Sequence, residues 1–232
     1  MMLATAVLSL LPLAAPAAAK PAEQKWDMTT FTLVLVRPGK TVAGDTSKMD
    51  AEHRALLHSL AAGKKAIAWG SIEGSPDLLE VIVLDVPKPE EARPLLASDP
   101  WFASGARVME LHPWFAARGI LKPPAEGAAE ETLTFGLLRR PPDAPPYPED
   151  KLKEIQKGHM ANIEAMAASG DLAIAGPLAD DGTVRGVFVF RGTDQKHLRA
   201  IAAPDAAIQA GRLVLDLYRW NVPRGTVAAK TP

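Results

Sequence analysis

Two pairs of residues in this chain carry groups that can move protons at neutral pH: His53 with Asp99, and His159 with Asp205. An imidazole beside a carboxylate has a fixed tautomer and a raised pKa, so it can take or give a proton near neutrality. The two pairs are related by position. His53 precedes His159 by 106 residues, and Asp99 precedes Asp205 by the same 106. That offset carries the whole stretch 53–114 onto 159–220 without gaps: Gly70 meets Gly176, Val81 and Val83 meet Val187 and Val189, Gly105 meets Gly211, and Trp114 meets Trp220. A period of this length is domain-sized, too long for a solenoid or propeller unit. The chain therefore reads as one fold written twice.

Each pair also has a purely structural reading. A histidine on the apolar face of a helix is commonly a packed core residue, and an aspartate beside proline often caps a turn. Keeping both residues at one spacing in both halves weakens the structural reading and leaves the two evenly balanced, because duplicates keep structural features too. His58, His112 and His197 have no such counterpart and read as surface or core residues. No histidine or carboxylate cluster has metal-ligand spacing, so no metal and no cofactor is expected. Trp114 and Trp220 end strands in both halves and are assigned to packing. Trp69 and Trp101 stand where the second half has Ala175 and Ala207, which predicts a narrower, more aromatic pocket in the first half. With its Asp99-Pro100 corner, the first half is the slightly favoured working site.

Composition limits the partners. Hydrophobic residues make up 47% of the sequence, and 26 Lys and Arg balance 27 Asp and Glu for a net charge of −1. That describes a globular protein with enough apolar content for real cores. No segment concentrates basic residues with aromatics, so nucleic acid is excluded as a partner. Cysteine is absent, which removes disulfides, thiolate metal sites and cysteine nucleophiles together. Residues 1–19 are apolar and rich in Ala and Leu, ending in Ala17-Ala18-Ala19 before Lys20, as a signal peptide with a small-residue cleavage site does. The expectation is a periplasmic or secreted protein with no membrane contact once the leader is cleaved; an uncleaved anchor is the alternative.

The elements follow from periodicity. Apolar runs of strand length, Phe31 to Val36 and Leu133 to Leu138, are closed by Arg37-Pro38 and Arg140-Pro141. Helical patterns follow over Ser47 to Ala62 and Glu149 to Ala168, with Met49, His53, Leu56, Leu57 and Leu60 on one face of the first and Leu152, Ile155, His159, Ile163 and Met166 on one face of the second. Gly63 and Gly170 are expected as C-terminal caps. Strands follow at Ala66 to Trp69 and Leu79 to Val86, and at Leu172 to Ala175 and Val184 to Phe190, the second pair joined by an Asp180-Asp181-Gly182 turn. Helices at Pro89 to Ala97 and Asp194 to Ala202 lead through the Asp corners to last strands at Arg107 to Leu111 and Leu213 to Tyr218. The order is βαββαβ twice, the ferredoxin-like arrangement, with both helices on one face of an antiparallel sheet. A bare apolar sheet face of several hundred Å² would cost on the order of 10 kcal/mol at about 25 cal/mol per Å², so the two sheets should pack on each other.

The residues on this frame resemble the YCII-related family, small domains of the dimeric α+β barrel superfamily. The second half carries His159, the run from Ala167 to Gly182 with Gly176-Pro177, then Gly211 and Trp220; the first carries the run from Leu95 to Val108 with Asp99-Pro100, then His112-Pro113-Trp114. Each half departs where the other conforms, since Ser71 follows Gly70 and Ala206 follows Asp205. The resemblance implies an α+β fold of two ferredoxin-like units packed as an intramolecular pseudo-dimer, a dimeric α+β barrel, with further oligomerisation left open. With the leader and the Ala-, Pro- and Glu-rich linker read from composition, the chain divides into a signal peptide (1–19), a first YCII-like domain (28–116), a linker (117–130) and a second YCII-like domain (131–223). The resemblance also implies that His53, Asp99, His159 and Asp205 form the active centres of a metal-free acid–base enzyme acting on a small cyclic or aromatic compound. A non-catalytic ligand-binding or structural module of the periplasm is the competing reading.

Overall fold

Six consecutive buried residues, Phe31 to Val36, explain the centre of the first half. In a strand, alternate side chains face opposite ways, so an unbroken buried run is covered on both faces. A computed structural model describing residues 26–229 shows how; the expected leader at 1–19 lies outside the described residues. Strand β1 (Met28–Pro38) sends Phe31, Leu33 and Leu35 into one core and Val34 and Val36 into another. Its equivalent β5 (Glu130–Arg139) sends Leu133, Phe135 and Leu137 into the first core and Leu138 into a third. The shared core lies inside a barrel, and the other two lie under helices on its outside.

The first half continues with α1 (Ser47–Ala62), β2 (Ala66–Glu73), β3 (Glu80–Leu84), α2 (Pro89–Leu96), a short α3 (Pro100–Ala103) and β4 (Arg107–Ala117). The second half repeats that order after β5 with α4 (Glu149–Ser169), β6 (Leu172–Pro177), β7 (Val184–Phe190), α5 (Gln195–Ala202), a short α6 (Ala206–Gln209) and β8 (Val214–Pro223). The short helices stand where plain corners were expected, because an aspartate begins each one. Asp99 accepts from the Trp101 amide, and Asp205 from the amides of Ala207 and Ile208, which satisfies donors that a helix start leaves unpaired. Gly170 ends α4 in the left-handed conformation at φ 89°, as expected of a glycine cap. Gly63 does not: its φ is −79°, and the left-handed residue is Lys64 at φ 57°.

All eight strands form one antiparallel sheet in the order β4-β1-β3-β2-β8-β5-β7-β6. The two four-stranded halves thus share an interior and also join edge to edge. One seam pairs Ser71, Ile72 and Glu73 of β2 with Asn221, Trp220 and Arg219 of β8. The other nearly closes the barrel through a bridge between Trp114 and Leu178, with the Ala179 amide donating to the Pro113 carbonyl at 2.8 Å. At each seam a fully buried tryptophan reaches a glycine of the other half: Trp114 Nε1 donates to the Gly176 carbonyl at 3.2 Å, and Trp220 Nε1 to the Gly70 carbonyl at 3.1 Å. Only glycine allows this approach. A Cβ on Gly176 would lie 2.1 Å from the Phe115 carbonyl oxygen, and one on Gly70 2.2 Å from that of Asn221. The segment between β4 and β5 is tied down as well, by a bridge from buried Leu121 to buried Val227. No helix of the described residues is long and apolar enough to cross a membrane.

Candidate active site

The structure brings together both histidine–aspartate pairs in the same geometry. His53 and His159 project from the helices that follow β1 and β5, and the corner before the last strand of each half presents Asp99 or Asp205. His53 Nδ1 lies 2.5 Å from Asp99 Oδ2, and His159 Nδ1 lies 2.6 Å from Asp205 Oδ2. Each aspartate uses its other oxygen, Oδ1, to cap the short helix behind it. A carboxylate only accepts, so each Nδ1 is assigned the proton and the rings differ in what Nε2 meets.

At Nε2 the halves part. In the first half, Nε2 donates to the Glu80 carboxylate at 3.0 Å, and the Arg107 guanidinium donates to the same carboxylate at 3.0 Å. Arg107 also lies over the Trp101 ring, 4.3 Å from its centroid, while Trp101 Nε1 donates to Asp50 at 3.1 Å. His53 is only 5% exposed. Burial is the largest single influence on this ring and opposes its charge, but hydrogen bonds to Asp99 and Glu80, with their negative charges, outweigh it and raise the pKa to about 9. At neutral pH His53 is therefore an imidazolium with both N–H groups engaged.

In the second half, Gly186 stands where Glu80 would be, and Leu213 where Arg107 would be. His159 Nε2 has no hydrogen-bonding partner among the described residues. It is not sealed in, because Asn162 Oδ1 is the buried side-chain polar atom among them that lacks a partner. The ring stacks near Phe188, 6.3 Å between centroids at 19°, and forms part of the wall of a cavity of about 710 Å³ between α4 and the sheet. Leu152, Ile155, Ile163, Phe188 and the Gly176-Pro177 turn line that space. The corresponding cavity of the first half is about 390 Å³ and is lined by His53, His58, Trp69, Glu80, Arg107 and Asn221 among others. The side chains at equivalent positions account for the difference: Trp69, Glu80 and Trp101 are replaced by Ala175, Gly186 and Ala207.

Of the unpaired histidines, His58 is exposed and meets the edge of Trp69, and His197 is exposed near Asp171. His112 is buried at the β4–β6 seam, with Nδ1 2.6 Å from Asp180 and Nε2 3.0 Å from Glu110. Sequence reasoning missed Glu80 and Arg107, which decide the state of His53. The signal was available: Glu80 is a lone charge in the apolar run from Leu78 to Leu84, opposite a glycine in the other half.

No protein-family model matches this sequence, and neither does any curated protein. Solved structures match the fold. A protein described as a putative chlorite dismutase is 9% identical over 84% of this chain and 94% of its own, with a TM-score of 0.54. A protein from Thermus thermophilus, described as a novel heme-binding protein, is 12% identical over 86% of this chain and 94% of its own, with a TM-score of 0.52. A putative monooxygenase from Fusobacterium nucleatum is 12% identical over 88% of this chain and 99% of its own, with a TM-score of 0.51. At these identities the likeness is one of fold, and the chain has the α+β barrel architecture these proteins share.

Proposed function

We infer that this protein is a small-molecule enzyme whose working centre is the Asp205–His159 dyad of the second half. One observation carries the reading: His159 Nδ1 is held by Asp205 at 2.6 Å while Nε2 opens onto the larger cavity. In the neutral ring the Nδ1 proton leaves the lone pair on Nε2, which can remove a proton from an acidic C–H or O–H of a bound ligand. Asp205 stabilises the imidazolium so formed, and Nε2 then returns the proton to another atom of the ligand, so the ring ends as it began. The apolar walls favour a cyclic or aromatic body. His53 is unsuited to this step because both nitrogens are already donating, which shifts preference from the first half to the second. The YCII-like, tandemly duplicated reading is supported by the repeated His–Asp geometry and by the reciprocal Trp–Gly contacts. Export to the periplasm is proposed from the leader-like sequence at 1–19.

The test is a screen of cyclic and phenolic compounds in heavy water, following loss of acidic C–H signals by NMR. His159→Gln should slow exchange of any responsive compound roughly 10²- to 10⁴-fold, while folded His53→Gln keeps it. Exchange unchanged in folded His159→Gln protein sinks the proposal. The same nitrogen also favours a second reading. An imidazole that would hold a haem iron needs one ring nitrogen held by an acceptor and the other free. His159 meets that need, with apolar walls and several basic residues nearby for the propionates. A bound haem would supply redox chemistry at its iron. Titration with hemin separates the readings: a Soret change lost in His159→Ala supports haem, and its absence leaves the acid–base centre.

A further inference from the structure

Charge distribution around the larger cavity says more about what enters it. Three arginines line it, Arg140, Arg185 and Arg212, together with Lys153. The single carboxylate in its lining, Glu149, is 2.7 Å from Lys153. None of the three arginines has a carboxylate within ion-pair distance among the described residues. Arg185 donates to the carbonyls of Asp180 and Gly182 at 2.9 and 3.3 Å, and Arg212 to that of Pro145 at 3.4 Å. These contacts hold the Arg185 and Arg212 guanidinium groups at the cavity wall without neutralising them.

The first half differs. Arg107 at the smaller cavity lies 3.0 Å from Glu80 and 3.9 Å from Asp50, so its charge is met from within the chain. Arginine stays protonated at all working pH values, and like charges gathered at a low-dielectric wall raise the local concentration of anions. Guanidinium groups also match a carboxylate in shape, offering two parallel donors.

We propose that the second-half cavity binds a small molecule with an apolar ring and a carboxylate. The ring lies between α4 and the sheet, and the carboxylate is held by Arg140, Arg185 and Arg212. This deepens the preceding reading, from which it takes the placement of the reacting atom at His159 Nε2; the binding claim itself stands on the arginines.

Calorimetric titration of the full chain with naphthoate and with its neutral isostere naphthamide tests the charge directly. Naphthoate should bind about tenfold or more tightly than naphthamide, the scale of one charge-assisted hydrogen bond, and added salt should narrow the gap. Arg212→Met and Arg140→Met should weaken naphthoate by a similar factor while naphthamide affinity stays the same, which also shows that the variants remain folded. Equal affinity for the two probes, no binding of naphthoate, or an equal loss of both in the variants overturns the proposal. Naphthoate binding that persists without any proton-transfer activity overturns only the acid–base reading.

Discussion

The two histidines show how one residue type acquires opposite roles from a single neighbour. His53 and His159 sit on equivalent helices and hold equivalent aspartates, yet Glu80 makes the first a buried cation and Gly186 leaves the second open. Stability should register the difference. With a folded pKa of about 9 against an ordinary 6.5, the His53 contribution is fully present below pH 6.5 and is lost as pH rises through 9, an effect on the order of 3 kcal/mol. Urea unfolding of the wild type across that window should show the decline, and His53→Gln should abolish this part of the pH dependence. His53→Leu, which leaves Asp99 buried with no cation and Glu80 with Arg107 alone, should cost roughly 3–5 kcal/mol at pH 7. A loss below about 1 kcal/mol would show that the pair is only a surface-strength contact.

At the scale of elements, the cavity exists because α4 stands over a strand floor of small residues, Ala175, Gly176 and Gly186, where α1 stands over Trp69, Gly70 and Glu80. The glycines of this floor also have a seam to keep. Gly176→Ala would force a Cβ onto the Phe115 carbonyl and displace the Trp114 indole, whose Nε1 lies 2.7 Å from that Cβ position. We expect a loss of roughly 1–3 kcal/mol or more, read as a lower urea midpoint and a changed tryptophan emission. An unaltered midpoint would mean that the β4–β6 seam yields without cost. Helix α1 and strand β7 occupy the ranges the periodicity predicts, because their signals are local: apolar spacing for α1, and for β7 the β-branched and aromatic run Val187 to Phe190 behind an Asp-Gly turn. Strands β4 and β8 run well past Leu111 and Tyr218. Their outer ends are ordered by pairing with distant strands, for which residues such as Pro113 and Asn221 carry no local sign.

For the whole molecule, the decisive feature is that one core serves both halves. Phe31, Leu33, Leu35 and Trp114 pack in the same interior as Leu133, Phe135, Leu137 and Trp220. Neither half can unfold without exposing the other, so thermal unfolding should be a single transition with calorimetric and van't Hoff enthalpies equal within error. A ratio near two would indicate halves that melt independently. By itself the sequence determined the order of elements, the equivalence of the halves and the four His and Asp positions, since these depend on spacing along the chain. Only the tertiary structure decided which histidine keeps an unengaged ring nitrogen. Glu80, Arg107 and Trp69 act on His53 and its cavity through space, and the emptiness at Ala175, Gly186 and Ala207 becomes a cavity only when a helix is laid across it.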